Sequence, residues 1–358
     1  MAEFLFKAKG NTIGDVGKEI MAMRLSFDEI QSEIKRVFMK YGMSEEKAEI
    51  CARVHTESTY DGIYSHGTGR VARFVDYIKK GWVDVNAEPA LEKDCGAIRI
   101  YNGNMGPGVL NAMYGVEEAM KLAGQYGIGM VGLKNTTHWM RGGSYGLYAA
   151  NHGYIAIMWT NTESVMPPWG AKECRLGNNP FVMAVPGREG KAPMMLDMAI
   201  SQYAYGKLAM LRLAGKKLPF PGGFDEEGNI TDDPGTIEKT RRMLPIGYWK
   251  GSSFSFMLDL VATLLTDGIG ASDLDHVGKG SCGGASQVMI LIDPKKTIDG
   301  ERMDKEIEKA VNHLKGAALS EHSTGIFAPG DDYINFRKEH DEKGIFVEDV
   351  IWNEIKAL

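Results

Sequence analysis

Six short runs rich in β-branched and apolar residues lie between Ala97 and Asp293: AIRIY, GMVGLK, YIAIMWT, FVMAV, MMLDMA and QVMILID. Stretches of helical periodicity near Val109–Gln125, Ser144–His152 and Ser201–Ala214 separate several of them. Strands alternating with helices predict an α/β body, a sheet with helices on its faces. The flanks read as helical. Ser26 and Glu29 form a capping box, and Phe27, Ile30, Ile34, Val37, Phe38 and Tyr41 then recur at helical spacing until Gly42. A second helix is predicted over Glu45–Thr59 and a third over His66–Lys80, the latter with Val71, Phe74, Val75 and Ile78 as its buried stripe. From Asp299 two more helices are predicted, around Met303–Lys315 and Val347–Lys356. Helices from both chain ends are expected to pack together beside the central body.

A chain of 358 residues has room for about two domains of ~150 residues. Gly215–Gly235 is too rich in Gly, Pro and Asp for regular structure, and long loops of this kind are often functional. The apolar run FSFMLDLVATLLTDG after it predicts a further helix. The formal net charge of −6 argues against a nucleic-acid-binding surface, although a few local basic residues still admit small anionic ligands. Cys51, Cys95, Cys174 and Cys282 are scattered, without CxxC or zinc-ligand spacing, which fits reduced thiols and a cytoplasmic setting. No apolar run reaches the ~18 residues that span a bilayer, and the first twenty residues lack the apolar core of a secretion signal.

Two stretches fit G-x-G-x-x-G, at Gly127, Gly129 and Gly132 and at Gly278, Gly280 and Gly283. A dinucleotide fingerprint needs a strand, a glycine turn and then a helix, whose amino end receives the pyrophosphate. Both stretches instead lead into a strand, so they read as turns and the cofactor site is expected not to be a Rossmann one.

Ser65-His66-Gly67-Thr68-Gly69-Arg70 carries more chemistry. On a helix, His66 and Arg70 share a face. A guanidinium can fork a carboxylate while an imidazolium beside it protonates a carbonyl oxygen as hydride arrives, which suits a 2-keto acid. The spacing alone equally describes a packed helix histidine beside a solvated arginine. His138 follows the strand GMVGLK at the head of a Gly-rich turn, where a site residue and a buried structural histidine look alike. Asp197 interrupts an apolar strand and needs a partner if buried. Lys250-Gly251 stands before a helix, where backbone N–H groups and an ammonium can meet a phosphate. The loop Asn161–Lys172 offers Asn161, Thr162, Ser164 and Lys172 as hydrogen-bond partners for a ligand, and the stiff Met166–Glu173 stretch fits a pocket wall or a structural corner equally well. No HExxH or similar spacing points to a metal site.

In order along the chain, YSHGTGRVARFVDYIKKG, NTTHWMRGGSYG, WTNTESVMPPWGAKECRLGNNP, LAGKKLPFPGGFDEEGN and RRMLPIGYWKGSSFSFMLDLVATLLTDG resemble the malate/L-lactate dehydrogenase family from about Leu25 to the C-terminus. The resemblance implies a nicotinamide-dependent oxidoreductase of 2-hydroxy and 2-keto acids. It implies NADH as cofactor, with NADP possible, and a homodimer with active sites near the subunit boundary. A diketo sugar acid is the leading substrate, through WMRGGSYG and MPPWGAKE, and malate or L-lactate the alternative. A dimeric binding protein without turnover is the rival from another class. The fold implied is a non-Rossmann α/β cofactor domain with a mixed sheet, plus a helical domain built from both termini. The divisions are a helical part over 25–90, a cofactor-binding and dimerisation domain over 91–298, a returning helical segment over 299–358, and an extension of unknown role over 1–24.

Carried onto this chain, the resemblance makes His66 the proton donor and Arg70 a holder of the substrate carboxylate, with His138 and Asp197 lining the site. Met194, Met195, Leu196, Asp197, Met198, Ala199 and Ile200 would contact the cofactor, as would Lys250, Gly251, Asp331, Asp332 and Tyr333. Gly270–Ala285 departs from the family pattern, and the segment before Leu25 has no counterpart in it.

Overall fold

The computed structural model describes residues 22–188, 190–321 and 323–358, so most of the expected extension lies outside the described residues. Strand β1 (Ala22–Leu25) leads into α1 (Phe27–Lys40), α2 (Glu45–Tyr60) and α3 (Val71–Lys79). The capping box forms as predicted: Ser26 Oγ accepts from the Glu29 amide and the Glu29 carboxylate accepts from the Ser26 amide. The third helix starts later than predicted. Tyr64–His66 and Thr68–Arg70 are two separate 3-10 turns about Gly67, so His66 and Arg70 do not share an α-helical face. The reason is tertiary. Gly67 packs against α2, where Thr59 Oγ1 accepts from the Thr68 amide at 2.9 Å, and continuous helix through 66–70 would break that contact.

The body then runs β2 (Ala90–Asp94), β3 (Ile98–Asn102), α4 (Gly108–Tyr126), β4 (Ile128–Thr136), α5 (Gly142–Asn151), β5 (Ile155–Thr160), β6 (Ser164–Met166), β7 (Leu176–Gly177), β8 (Phe181–Val185) and β9 (Met194–Met198). It continues through α6 (Tyr205–Leu213), β10 (Gly223–Phe224), β11 (Ile230–Thr231), α7 (Pro234–Thr240), α8 (Trp249–Thr266), α9 (Ala271–Val277) and β12 (Ala285–Ile292). Seven strands form one sheet in the order β2-β3-β4-β12-β5-β8-β9, in which β3 and β4 are parallel and every other pair antiparallel. Such a mixed order has none of the doubly wound parallel pattern of a Rossmann sheet. Gly127 is the left-handed cap of α4, and Gly129 and Gly132 lie within β4. Gly278 closes α9 and Gly280 opens a 3-10 turn that leads into β12, so both triplets run into strands as expected.

Helices α4 and α5 cover one face of the sheet and α8 the other. The face of α8 toward the sheet is small or medium in size (Gly251, Ser255, Leu258, Ala262), which lets it approach closely, and Trp159 Nε1 donates to Leu258 O at 3.0 Å. The chain ends with α10 (Gly300–Lys315), α11 (Asp331–Lys343), β13 (Ile345–Glu348) and α12 (Asp349–Ala357). Strand β13 pairs antiparallel with β1, and α11 and α12 pack on α1, α2 and α3. This gives the helical domain made from both termini. One core joins it to α4, α5 and the sheet, with Phe38 and Phe74 meeting edge to face at 5.3 Å. Helix α11, strand β13 and helix α7 were not foreseen in the sequence. Among the described residues no single helix is long and apolar enough to cross a membrane.

Candidate active site

A cleft of about 670 Å³ opens where the turns before α3 face the loop between β4 and α5, with β9, α6, the Gly280–Gly283 turn and α11 around it. His66 and His138 both line it, their rings stacked 5.6 Å apart at 25°. The loop carrying His138 is pinned by Thr137, whose Oγ1 accepts from the Gly108 amide and donates to Gly106 O, both at 2.9 Å. His138 Nδ1 accepts from the Met140 amide at 2.9 Å, so a neutral His138 carries its proton on Nε2. Ser65 Oγ lies 3.0 Å from His66 Nδ1.

Burial, and then the Arg70 guanidinium, hold both rings neutral: His66 is pushed down to about 4 and His138 well below its usual value. The sequence had suggested an imidazolium at position 66; in the free site it is an imidazole. Arg70 is itself pushed down by burial, its Nε has no hydrogen-bond partner, and among the described residues no carboxylate pairs with it. A half-buried guanidinium whose Nε is dry and unpaired, close to two imidazoles, gains from an anion that joins it.

Asp197 finds the partners its setting demanded. Its Oδ2 accepts from the Gly143 amide in the first turn of α5 at 2.9 Å and lies 3.6 Å from Arg141 Nε. Burial raises its pKa, against Arg141 and that amide. Arg141 also pairs with Asp61, to which Arg337 Nη2 donates at 3.2 Å. Asp61, Arg141 and Arg337 escaped sequence reading, although Asp61 and Arg141 stand within a few residues of the two histidines.

Of the expected cofactor segment, Met194–Met198 forms β9, an edge of the sheet, Ala199 and Ile200 follow it, and Asp197 and Ala199 line the cleft. Asp331, Asp332 and Tyr333 begin α11 beside β9: Tyr333 OH donates to Pro193 O at 2.7 Å and the Met195 amide to Pro329 O at 3.4 Å. Lys250 and Gly251 begin α8 near the other end, where the Ile246 amide donates to Ile200 O at 2.8 Å. The three segments thus adjoin one strand, though Lys250, Gly251 and Asp331–Tyr333 lie outside the histidine cleft.

The expected substrate loop is divided: Asn161 and Thr162 line the cleft, whereas Ser164 and Lys172 do not. The Asn161 amide is wholly engaged by Asp259, Ile269 O and the Ser286 amide, and Lys172 lies over Gly228 on the β10–β11 hairpin. Trp169 packs on Tyr248 at 5.3 Å, making Met166–Glu173 a corner against α8 and not a wall of the cleft. Glu163 and Lys207 line the cleft and were not singled out in the sequence.

The chain is 41% identical over 337 residues to 2,3-diketo-L-gulonate reductase of Escherichia coli K12, covering 94% of this chain and all of that protein. The solved malate dehydrogenase of Pyrococcus horikoshii superposes with a TM-score of 0.86 at 26% identity, covering 99% of this chain and 98% of that one. Sulfolactate dehydrogenase of Methanocaldococcus jannaschii superposes with a TM-score of 0.85 at 26% identity, covering 94% and 96%. The protein is an oxidoreductase of hydroxy and keto acids that uses a nicotinamide cofactor. It belongs to the malate/L-lactate dehydrogenase family, which it matches over residues 25–356.

Proposed function

We propose that this enzyme reduces a 2-keto acid with NADH, a diketo sugar acid such as 2,3-diketo-L-gulonate being the leading substrate and malate or L-lactate chemistry the alternative. The observation that carries this is Arg70, a half-buried guanidinium without a carboxylate partner that stands behind the cleft lining, next to Gly69 and close to His66 and His138. It suits a substrate carboxylate, which it can grip with two parallel hydrogen bonds. The residues along β9 fit a nicotinamide nucleotide: an edge strand of the main sheet, the amino ends of α8 and α11 near its two ends, and the Lys250 ammonium. Asp332, in the first turn of α11 beside Asp331, which is paired with Lys315, disfavours a 2′-phosphate there and supports NADH over NADPH.

When bound, the nicotinamide ring supplies the hydride. Arg70 holds the carboxylate and orients the keto carbon toward the histidines. His66 gives the proton to the carbonyl oxygen as charge develops there. His138 stacks on His66 and fixes its ring, while Asp197 and Arg141 hold the start of α5 beside them.

The working form is a homodimer in the cytoplasm. The outer face of α8 supports the first reading, with Met257 and Phe256 about half exposed and Leu264 73% exposed, a patch suited to a second copy. Four free thiols support the second.

The test follows NADH and NADPH oxidation with 2,3-diketo-L-gulonate, oxaloacetate and pyruvate at one pH and salt. The diketo acid should have the highest kcat/KM, with pyruvate lower by about two orders of magnitude. Arg70→Lys should not restore turnover, because an ammonium cannot grip a carboxylate in the same way. A lead of tenfold or more for oxaloacetate or pyruvate would replace this reading with the malate or lactate one.

A further inference from the structure

Besides Asp197 and the exposed Glu348, the cleft holds a third acid, Glu163, that the reaction as described does not use. Glu163 lines it together with the histidines, and among the described residues its carboxylate takes no hydrogen bond and no ion pair. Its position is firmly set. On one side the Thr162 amide donates to Asn179 Oδ1 at 2.9 Å and Thr162 Oγ1 to Asn178 Oδ1 at 3.1 Å. On the other, the Ser164 amide donates to Asp275 Oδ1 at 2.7 Å, and Ser164 pairs with Gly177. Glu163 Oε1 faces Gly280, 3.8 Å from where a Cβ would stand there. Two residues on, Cys282 contacts the backbone of His138. The Gly280–Gly283 turn therefore runs from the cleft histidines to Glu163.

We propose that Glu163 is a specificity-determining residue: it accepts hydrogen bonds from hydroxyl groups on the distal part of the substrate and turns away substrates whose distal end is a second carboxylate. The proposal rests on the 2-keto acid reading and decides among its substrates. A half-buried carboxylate without a donor gains most from a ligand that supplies donors. It has the opposite effect on a second anion, since like charges in a partly desolvated cleft repel strongly. Burial and the neighbouring Asp275 carboxylate already raise the Glu163 pKa, with only Arg241 opposing them, so further negative charge here is unwelcome. Lys207, on α6, also lines the cleft and is the group that would receive a second carboxylate if the tail ran the other way.

The experiment compares the parent enzyme with Glu163→Gln, Glu163→Ala and Lys207→Gln. It measures kcat/KM with NADH for 2,3-diketo-L-gulonate, oxaloacetate and pyruvate, taking pyruvate as the reference for each variant. Glutamine keeps the shape and an acceptor but removes the charge. The oxaloacetate-to-pyruvate ratio should rise tenfold or more in Glu163→Gln, equivalent to about 1.4 kcal/mol. In Glu163→Ala the diketo acid should lose tenfold or more relative to pyruvate, mainly through KM. An oxaloacetate ratio within threefold of the parent in both variants, or one lowered only by Lys207→Gln, overturns the assignment of Glu163. An enzyme that turns over none of the three acids with either cofactor overturns the 2-keto acid reading instead.

Discussion

Asp61, at the end of α2, and Arg141, at the start of α5, form an ion pair that is almost wholly buried, 1% and 4% exposed at the side chain. Arg337 of α11 adds a second guanidinium to the same carboxylate and stands over the Tyr60 and Tyr333 rings at 5.3 and 5.0 Å. The pair ties the helical domain to the loop that carries His138. Removing the shared anion leaves Arg141 charged and dry. Asp61→Asn should therefore destabilise the fold by about 3–5 kcal/mol. Arg337→Gln should do less, about 1 kcal/mol, because Arg337 keeps 35% of its side chain exposed to solvent. Urea unfolding at neutral pH measures both. A loss below about 1 kcal/mol in Asp61→Asn would mean that the two domains are not joined through this pair.

The pH dependence follows from His66. Burial and Arg70 hold it at about 4, while the proposed role as proton donor needs it protonated. The protonated fraction falls tenfold for each pH unit above that value, so log kcat/KM for reduction should decline with a slope near −1 from pH 5 to 8. Once a substrate carboxylate offsets Arg70, the His66 pKa rises, and kcat should stay flat to higher pH. Oxidation of the hydroxy acid needs neutral His66 and should be level over the same range. His66→Asn should lower turnover by roughly 10²–10⁴-fold and abolish the slope. A flat reduction profile together with an active His66→Asn variant would assign the proton to another group.

Local signals were legible in the sequence and distant partners were not. The Ser26–Glu29 box, the left-handed stop at Gly127 and the strands around GMVGLK and QVMILID depend on neighbours a few residues away. So did the demand that Asp197 find a partner. The pairing of Arg24 with Phe346 across β1 and β13, or Arg337 on Asp61, spans most of the chain and has no local signature. The start of α3 was misread because the periodicity of Val71, Phe74, Val75 and Ile78 says nothing of what Gly67 rests upon. Lys172 and Asn161 stand out for their side-chain chemistry, but the first turns away onto Gly228 of the β10–β11 hairpin and the amide of the second is engaged by its neighbours.

Gly67 offers a direct check on how the site is held. A Cβ at this position would stand 2.8 Å from His55 O and from the Thr59 amide, closer than packed atoms allow. Gly67→Ala must move the turn off α2, carrying His66 and Arg70 with it. Small displacements of catalytic groups cost rate steeply, so kcat/KM should fall by roughly 10²-fold. The far-UV circular dichroism should stay that of the parent, since α2 and α3 remain intact on either side. Retained activity would show that the two 3-10 turns are not what positions His66.

His55 links the helical core to acid stability. It is fully buried, its Nδ1–H donates to Cys51 O at 2.7 Å, and its Nε2 has no partner beside the Phe38 ring 5.2 Å away. Burial pushes its pKa down to about 4, from 6.5 for a free histidine, against the Cys51 carbonyl. A histidine whose folded pKa is depressed binds fewer protons folded than unfolded between those two values, so stability rises with pH there. The contribution is fully present above pH 6.5, is lost progressively as pH falls toward 4, and does not change further below. A gap of this size corresponds to about 3 kcal/mol. His66 and His138 shift in the same direction, so the parent alone cannot isolate the effect. His55→Leu can, since leucine fills the site without a titrating group and the Cys51 carbonyl remains within helix α2. Denaturant unfolding between pH 7 and 4.5 should show the parent losing roughly 2–3 kcal/mol more than the variant. Parallel curves for the two proteins would mean that His55 does not titrate with unfolding, and the acid sensitivity would then belong to the cleft.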